Sequence, residues 1–571
     1  MFTRVLIANR GEIAVRVART CRELGIEVVA VHSDVDARAR HVALADQAVH
    51  LPGVAPAETY LNVPAIIEAA RRTGAEAIHP GYGFLSERAD VAEAVAEAGL
   101  VWVGPPPDAT RAAGNKVRAR QLAASVGVDP VPGTLEPIHG QDEVLAFGTA
   151  HGYPVAIKAA GGGGGRGLKV AAEPDEALSA LESAVREAEA YFGYGDVYLE
   201  RYLARPKHVE IQVLASRPGD AMSLGARDCS LQRRHQKLVE ETPPALLPDL
   251  IPAMGDAGVA VANACGYANA GTVEFLVDVE AGLFYFLEIN ARLQVEHTIT
   301  EEVLGLDLVA AQLRIASGED IGFTAGDVLV GGRLAPRGHA IECRINAEDP
   351  ARGFLPTPGR IARYREPGGP GIRVDSGFGE GDEVPSAYDS LIAKLVAWGA
   401  TREEARRRML RALHEFEIEG VATTIPAHLT LMVNDEFVDG SYTTGTAEGG
   451  ALDKLMARTL PPATDTASTP VLLVQGTQAR LWNPAMAGSA SAVSAGAPRS
   501  DAGAVLAPMH GTILKLLVHQ GDRVEIGDPV AILEAMKMET QIAAPSAGEV
   551  KEISIGPGTT VEAGQKIVLI G

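Results

Sequence analysis

Apolar and polar positions follow two different periods in the first 110 residues. The segments "RVLIAN", "EVVAVHS" and "LVWVGPP" are apolar runs of strand length, whereas "GEIAVRVARTCREL" carries apolar residues at helical spacing. The segment "AIHPGYGFLSE" is predicted to run from a strand into a loop. Alternation of strands and helices is typical of a parallel sheet with helices on both faces. The pattern therefore predicts an α/β, doubly wound parallel sheet domain at the N-terminus, and the absence of GxGxxG disfavours a dinucleotide site.

A strand-like pattern occurs twice in the last 70 or so residues. The two copies are separated by 37 positions, and the matching pairs include Ala507 with Ala544, Gly511 with Gly548, Val524 with Val561, Gly527 with Gly564 and Val530 with Ile567. Each copy alternates apolar and polar residues between glycine-bearing turns, which is typical of short strands. Two similar halves predict a small all-β sandwich with pseudo-twofold symmetry.

One lysine falls in the gap between the two copies, within "EAMKMET" at positions 534–540. Lys537 stands between Met536 and Met538, although an ammonium group is strongly hydrated and thioether side chains are apolar. The segment is either a solvated hairpin tip, where surface lysines are common, or a turn whose lysine is modified and has lost its charge.

The chain between about 443 and 503 has a different composition from its surroundings. It is rich in Thr, Ala, Ser, Gly and Pro, as in "LPPATDTASTP" and "AGSASAVSAGAPRSDAGA", and such segments bury too little apolar surface to fold alone. Within it, "VLLVQGTQARLW" is apolar enough for a short hairpin or for a segment that docks on a partner. The sequence does not separate these two interpretations.

Composition restricts the class of protein. With 571 residues the chain is long enough for three or four domains, and 46% hydrophobic with 22% charged residues indicates a globular protein. We expect a cytoplasmic location, because no apolar run is long enough to span a membrane, the N-terminus is unlike a signal peptide, and the four cysteines lack metal or disulfide spacing. The net charge of −22 argues against nucleic acid and anionic membranes as partners.

A glycine run in "PVAIKAAGGGGGRGLKV" (154–170) is a candidate phosphate site. A predicted strand delivers Lys158, and five consecutive glycines follow, whose backbone N–H groups can wrap phosphate oxygens. A flexible linker is the alternative, but a linker seldom lies between two apolar strands. The segment is not a Walker A loop, because no GK[ST] closes it, and we favour a nucleotide site.

Polar residues within two apolar strands at 271–296 form a candidate metal site. "GTVEFLVD" places Glu274 inside an apolar strand, and "FYFLEINARLQVEH" places Glu288, Asn290 and Arg292 at a spacing of two. If the segment is extended, these three side chains point to one face, and oxygen ligands on one face suit Mg²⁺. The alternative is an edge strand whose polar face is in water.

Two parts of the chain resemble known families. "EAMKME" inside its repeat resembles the biotinyl (biotin carboxyl carrier) domain, whose lipoyl relative usually lacks the methionine pair. Residues 1–445 resemble the ATP-grasp fold and, more narrowly, biotin carboxylase, through "ANRGEIA", "HPGYGFLSE", "KAAGGGGGRG", "HVEIQVL", "RRHQKLVEE", "EINARLQVEHTITE", "ECRINAED" and "AYDSLIAKL". The resemblance implies that Lys537 carries biotin through an amide formed by a biotin protein ligase.

The resemblance also implies five regions along the chain. They are a biotin carboxylase N-terminal domain (1–113), an ATP-grasp domain (114–335, with its lid at about 130–204), a biotin carboxylase C-terminal domain (336–445), a linker with a possible docking segment (446–503) and a biotinyl carrier domain (504–571).

Site residues follow from the resemblance position by position. ATP is expected at Lys116, Lys158 and Lys237 (phosphates), Gly164 and Gly165 (lid), Glu200, Arg201, Tyr202 and Leu203 (beside adenine), and His208 and His235. Mg²⁺ or Mn²⁺ is expected at Glu274, Glu288 and Asn290. Bicarbonate is expected at Arg292 and the backbone of Val295, with Glu296 as general base and Arg344 on the ureido oxygen of biotin. The residues expected to be catalytic are Arg292, Glu296, Lys237 and Arg344.

The activity implied is that of an α subunit of a biotin-dependent acyl-CoA carboxylase. ATP would drive carboxylation of biotin by bicarbonate through carboxyphosphate, and a separate carboxyltransferase β subunit would carboxylate acetyl- or propionyl-CoA. Methylcrotonyl-CoA or pyruvate as acceptor, and a lipoyl-type carrier with a degenerate ATP-grasp domain, are the alternatives. A complete carboxylase is disfavoured because 446–503 has no room for a carboxyltransferase. The resemblance also implies a homo-oligomer within a larger α–β complex.

Replacement of Lys537 by alanine should abolish biotinylation while ATP-dependent carboxylation of free biotin stays measurable, because the linker separates the two modules. Intact mass spectrometry measures the attached biotin, and an ATP-coupled assay with free biotin measures the other module. Loss of both in Lys537→Ala would contradict the modular interpretation.

Overall fold

The computed structural model describes thirteen ranges of the chain. They are residues 1–134, 136–160, 168–192, 195–234, 236–323, 329–330, 333–452, 471–474, 477–480, 503–507, 511–535, 538–561 and 564–571.

The N-terminal region is a parallel five-stranded sheet in the order β3-β2-β1-β4-β5. Its strands are β1 (Arg4–Ile7), β2 (Glu27–His32), β3 (Gln47–His50), β4 (Ala77–His79) and β5 (Val101–Trp102). The helices around it are α1 (Gly11–Glu23), α2 (Arg40–Ala43), α3 (Val63–Thr73) and α4 (Ala89–Glu97). The next two helices, α5 (Pro107–Gly114) and α6 (Lys116–Ser125), pack in a different core. Alternate residues of β1 belong to different core clusters, so both faces of the sheet are covered. The predicted doubly wound sheet is confirmed.

The strand order reverses between β1 and β4, which places a crevice at the carboxyl ends of these two strands. Asn9 follows β1, and its side-chain amide donates to the carbonyl oxygens of Pro80 (2.7 Å) and Tyr82 (2.8 Å), which follow β4. These bonds join the two loops at the mouth of the crevice.

A small antiparallel sheet, in the order β7-β6-β8, forms a separate layer with two helices. Its elements are α7 (Gln141–His151), β6 (Val155–Ala159), β7 (Leu168–Ala171), α8 (Ala177–Phe192) and β8 (Val197–Arg201). Val155 and Ile157 of β6 pack on Val197 and Leu199 of β8 in one core. The glycine run at 161–165 lies outside the described residues.

The largest sheet has eight antiparallel strands in the order β13-β12-β9-β10-β11-β16-β23-β21. Its strands are β9 (Lys207–Ala215), β10 (Ala221–Arg233), β11 (Gln236–Thr242), β12 (Asn269–Asp278), β13 (Leu283–Asn290), β16 (His339–Asn346), β21 (Ile372–Ser376) and β23 (Leu391–Gly399). The pairing of β11 with β16 joins the regions expected as the ATP-grasp and C-terminal domains into one sheet.

The remaining elements of these regions cover the sheet or form short pairs. The helices are α9 (Ile251–Ala264), α10 (His297–Leu304), α11 (Leu308–Ala316), α12 (Arg402–Glu415), α13 (Ile425–Leu431) and α14 (Asp435–Asp439), with short helical turns at Pro174–Glu176, Pro350–Arg352 and Ala447–Ala451. The short strands are β14 (Leu329–Val330), β15 (Arg333–Leu334), β17 (Glu348–Asp349), β18 (Leu355–Pro356), β19 (Gly359–Arg360), β20 (Arg363–Arg365), β22 (Glu383–Val384) and β24 (Glu417–Glu419).

Two strands of the linker, β25 (Val471–Val474) and β26 (Thr477–Arg480), pair as an antiparallel hairpin. This agrees with the hairpin interpretation of "VLLVQGTQARLW" and does not test the docking interpretation.

The C-terminal region is a β-sandwich of two four-stranded sheets, β27-β34-β32-β29 and β31-β30-β28-β33. The strands are β27 (Ala504–Leu506), β28 (Gly511–Leu516), β29 (Arg523–Val524), β30 (Pro529–Ala535), β31 (Met538–Ala543), β32 (Gly548–Ile553), β33 (Thr560–Val561) and β34 (Lys566–Ile570). A shift of 37 positions carries β28 onto β32 and β29 onto β33, which lie in the opposite sheets. The predicted pseudo-twofold sandwich is confirmed.

The strands on either side of Lys537 pair with each other, Ala535 opposite Met538, while Lys537 itself lies outside the described residues. Gly503, where the linker ends, accepts a hydrogen bond from the backbone of Ile570 (2.9 Å). A Cβ at Gly503 would lie 3.7 Å from Ser546, three residues beyond the end of β31.

Within the described residues, no helix combines the length and the apolar character needed to cross a bilayer. The four cysteines are buried and form no disulfide.

Gly377, in the C-terminal region, packs closely against the N-terminus of α1. A Cβ at Gly377 would lie 2.4 Å from the backbone nitrogen of Glu12, so Gly377→Ala should force the two backbones apart and destabilise the protein by about 1–3 kcal/mol. Thermal unfolding followed by circular dichroism measures the loss. Gly379→Ala is the matched control, since the nearest atom to its Cβ is 3.7 Å away, and an equal melting temperature for both variants would contradict the prediction.

Candidate active site

A cleft of roughly 1570 Å³ lies where the crevice of the N-terminal sheet, the small sheet and the eight-stranded sheet meet. Fourteen of the predicted site residues line it, namely Lys116, Lys158, Glu200, Arg201, Tyr202, Leu203, His208, Lys237, Glu274, Glu288, Asn290, Arg292, Val295 and Arg344. Gly164, Gly165, His235 and Lys537 lie outside the described residues.

Three neighbouring strands place three carboxylates on one face of the large sheet. Glu274 on β12 stands opposite Glu210 on β9 and opposite Glu288 on β13. Side chains of directly opposed residues point to the same face. Glu274 and Glu288 line the cleft, and Glu210 is buried beside them.

The ammonium group of Lys237, on β11, lies among buried carboxylates. Its Nζ is 2.7 Å from Glu210 Oε2, 3.2 Å from Glu274 Oε1 and 2.5 Å from Glu296 Oε1. Burial alone lowers the pKa of Lys237, but the negative charges around it outweigh burial and raise its pKa well above the ordinary value. Lys237 is therefore a fixed positive charge on the floor of the cleft.

Glu296 precedes α10 and is fully buried beneath the cleft. One carboxylate oxygen contacts Lys237, and the other lies 3.0 Å from Nη2 of Arg344. Burial alone raises the pKa of Glu296, but Lys237, Arg344 and Arg227 together hold that pKa well below its ordinary range. Glu296 is therefore ionised, with both oxygens occupied by cations.

A second carboxylate holds the Arg344 side chain in place. Glu240, on β11, accepts from Nε of Arg344 at 2.6 Å and lies 2.5 Å from its Nη2. This pairing across neighbouring strands directs the guanidinium toward Glu296, because the same Nη2 reaches both carboxylates.

The donor set predicted for a metal is compatible with Mg²⁺. Asn290 donates to Glu274 Oε1 at 2.8 Å, and His208 contacts Glu274 Oε2 at 2.9 Å, while Lys116 bonds Glu288. Burial alone raises the pKa of Glu274, but Lys237 and His208 outweigh it and hold the pKa well below its ordinary range, so the carboxylate is ionised. Glu274 and Glu288 would hold a hard cation through oxygen, as Mg²⁺ requires.

At the other end of the cleft, Glu200 joins two cations. Its buried carboxylate accepts from Lys158 and from the fully buried Arg120. Tyr202 lies at the rim with 40% of its surface exposed. Glu200, predicted to lie beside adenine, is therefore in contact with Lys158, predicted to bind a phosphate.

Glu288, Asn290 and Arg292 are predicted to share one face of an extended strand. The strand β13 ends at Asn290, so Arg292 lies two residues beyond it. Its guanidinium nevertheless reaches back, with Nη2 3.3 Å from Asn290 Oδ1, and Nη1 donates to Gln294 at 2.9 Å. On its other side, Nε is 3.3 Å from Glu87.

Several residues of the site were missed by sequence reasoning. They are Arg120, Glu210, Arg227, Glu240 and Gln294. Glu210 had a signal, because "HVEIQVL" alternates polar and apolar residues within one strand. Arg227 and Glu240 had none, since their roles depend on strand pairing.

The chain matches four protein families along its length. The matches are "Biotin carboxylase, N-terminal domain" over residues 1–110, "Carbamoyl-phosphate synthase L chain, ATP binding domain" over 115–323, "Biotin carboxylase C-terminal domain" over 342–448 and "Biotin-requiring enzyme" over 503–570.

Whole proteins of known name are similar as well. The biotin-dependent acyl-coenzyme A carboxylase alpha3 subunit of Mycobacterium leprae is 44% identical over 98% of this chain and 97% of the relative. The biotin carboxylase of Nostoc sp. is 50% identical over 78% of this chain and 98% of the relative. The biotin carboxylase domain of Hydrogenobacter thermophilus 2-oxoglutarate carboxylase, solved with MgADP and bicarbonate, has a TM-score of 0.75 and 45% identity over 79% of this chain and 99% of that domain.

Proposed function

The chain belongs to the family of biotin-dependent acyl-CoA carboxylase α subunits, and we propose that it carboxylates its own biotin for transfer by a separate carboxyltransferase to a short acyl-CoA. As a biotin carboxylase it uses ATP, Mg²⁺ and biotin. The roles of individual residues, the partner and the acceptor are parts of the proposal.

One observation carries the assignment of the chemical step: Glu296 lies between Lys237 and Arg344 at the floor of the cleft. Glu296 would take the proton of bicarbonate, Lys237 would face the phosphate that is attacked, and Arg344 would stabilise negative charge on the ureido oxygen of biotin. Arg292 and the backbone of Val295, both at the cleft, would hold the bicarbonate anion.

The nucleotide would bind at the end of the cleft near Glu200, with Lys116 and Lys158 on its phosphates. Glu274 and Glu288, with Asn290, would hold Mg²⁺ or Mn²⁺, which offsets phosphate charge when it is bound. The assignment of Gly164 and Gly165 to a lid that excludes water rests on the family pattern alone.

The low pKa of Glu296 bears on how the base is activated. A carboxylate whose pKa is held far below its ordinary value is a weak base. Phosphate and bicarbonate are anions that compete with Glu296 for Lys237 and Arg344, and their negative charge raises the proton affinity of a carboxylate nearby. Glu296 would therefore become an effective base only when both substrates are in the cleft.

Biotin on Lys537 would supply the ureido nitrogen that accepts the carboxyl group. The chain's own contribution would be transport, because about 60 residues separate the carboxylase region from the sandwich. A chain of that length, treated as a coil, would span roughly 40–45 Å on average. Fully extended, the linker would span at most about 190 Å. The hairpin at β25 and β26 shortens this reach and is our candidate contact with the partner.

Glu296→Gln should lower kcat by roughly 10²–10⁴-fold with ATP binding largely kept, because the amide retains the shape of the side chain and cannot accept the proton. Bicarbonate-dependent ADP release with free biotin measures kcat, and nucleotide titration measures ATP binding. Glu302→Gln, a partly exposed position on α10, is the matched control. An active Glu296→Gln enzyme would assign the role of base to another residue.

The purified chain should consume ATP with bicarbonate and biotin and yet fix no labelled bicarbonate into acyl-CoA until a carboxyltransferase β subunit is added. The reason is that the interval from 446 to 503 is too short to hold a carboxyltransferase domain. Radiolabel in malonyl- or methylmalonyl-CoA is the readout, with acetyl- and propionyl-CoA as acceptors. Label fixed by this chain alone would contradict the two-subunit proposal.

A further inference from the structure

Two motifs of the carboxylase region line one part of the cleft and yet contain none of the residues proposed to contact ATP, metal, bicarbonate or biotin. "ANRGEIA" contains Glu12, at the start of α1, and "AYDSLIAKL" contains Lys394, in β23. The structure brings them together, because Nζ of Lys394 lies 3.2 Å from Glu12 Oε2. Lys394 is 0% exposed and Glu12 is 3% exposed, so this is a buried ion pair between the N-terminal and C-terminal regions.

The same ammonium group also contacts the backbone of the active site. Nζ of Lys394 donates to the carbonyl oxygen of Val295 at 3.0 Å. That carbonyl belongs to the peptide that joins Val295 to Glu296, which are the proposed bicarbonate contact and the proposed base. A single hydrogen bond from Lys394 therefore restrains both residues.

The two peptides before α10 are held mainly by buried side chains, and the backbone N–H of His297 adds a long contact of 3.4 Å to the Gln294 carbonyl. The helix begins at His297, so the carbonyls of Gln294 and Val295 lie outside it. Nδ1 of His297 donates to the Gln294 carbonyl at 2.8 Å, and Lys394 donates to the next one. Two buried side chains thus fix two consecutive peptides of the turn that carries the site.

We propose that Lys394, in contact with Glu12, is a positioning residue that sets the Val295–Glu296 peptide for bicarbonate. The inference rests on the proposed function, since it takes Val295 and Glu296 as the bicarbonate contact and the base. A buried ammonium group needs negative charge nearby. Glu12 supplies part of it from another part of the chain, and Asp375 on β21 stands opposite Lys394. Lys394 does not line the cleft, so it acts through Val295 and not on the substrates themselves.

The geometry makes the expected effect selective. Loss of the Lys394 bond frees the peptide to rotate, which moves the backbone of Val295 and the carboxylate of Glu296 together. Displacement of a reacting group by about 1 Å can lower a rate by roughly 100-fold. Of the proposed nucleotide contacts that the structure describes, Lys237 alone touches Glu296, whereas Lys116, Lys158 and Glu200 lie on other elements. The KM for ATP should therefore change far less than the KM for bicarbonate.

The test uses the full chain and free biotin, with separate titrations of bicarbonate and ATP. In Lys394→Met we expect the KM for bicarbonate to rise at least roughly tenfold and kcat to fall, with the KM for ATP within about twofold of wild type. Lys394→Arg keeps the charge and should recover part of the loss, and Glu12→Gln should shift the KM for bicarbonate in the same direction as Lys394→Met.

Lys207→Met is the matched control, because Lys207 is also fully buried and pairs with Asp228 at 2.8 Å, away from Val295. It should lower the melting temperature without raising the KM for bicarbonate. If Lys394→Met does not fold, Lys394→Arg and Glu12→Gln carry the test.

A KM for bicarbonate unchanged in the folded Lys394 and Glu12 variants would overturn the proposal, as would an equal rise in the KM values for bicarbonate and ATP. Equal effects in Lys207→Met would also overturn it, since the loss would then follow from general destabilisation. If wild-type ATP consumption does not depend on bicarbonate, the proposed function fails, and that result is distinct from any of these.

Discussion

The interaction on which the structure depends most is the ion cluster around Lys237. Its partners come from separate elements: Glu210 from β9, Glu274 from β12 and Glu296 from the turn before α10, which also meets Arg344 from β16. A buried charge without its partner costs several kcal/mol, so a shift of one strand by one residue would leave charges unpaired and turn them to the wrong face. The cluster therefore fixes the register of the large sheet as well as the chemistry of the cleft.

The same charges explain how a site built for anions is stable without them. Each lysine assigned to phosphate already has carboxylate partners, with Lys116 on Glu288, Lys158 on Glu200, and Lys237 on Glu296, Glu210 and Glu274. If these residues have the proposed roles, binding of phosphate would exchange one partner for another, and the carboxylates released would include those proposed to hold the metal. One set of side chains would then serve both states, and metal and nucleotide would each favour binding of the other.

The sequence predicted the fold class well, because periodicity is a local signal. The alternation in "RVLIAN" and "GEIAVRVARTCREL", and the 37-residue repeat, both correspond to observed elements. The union of two expected domains into one sheet was not predictable, since the pairing of β11 with β16 joins segments about 100 residues apart that leave no periodic trace. Glu240 and Arg227 were missed for the same reason, and the contact of Lys394 with Glu12 spans most of the carboxylase region.

The proximity of Gly503 to Ser546 shows at which end of the sandwich the preceding chain enters. The linker enters at the end where β31 finishes, whereas Lys537 immediately precedes Met538, where β31 begins. A strand of six residues is about 20 Å long. On the proposed attachment of biotin to Lys537, rotation of the sandwich about its entry point at Gly503 would carry the biotin along an arc, so the length of the sandwich would add to the reach that the linker allows.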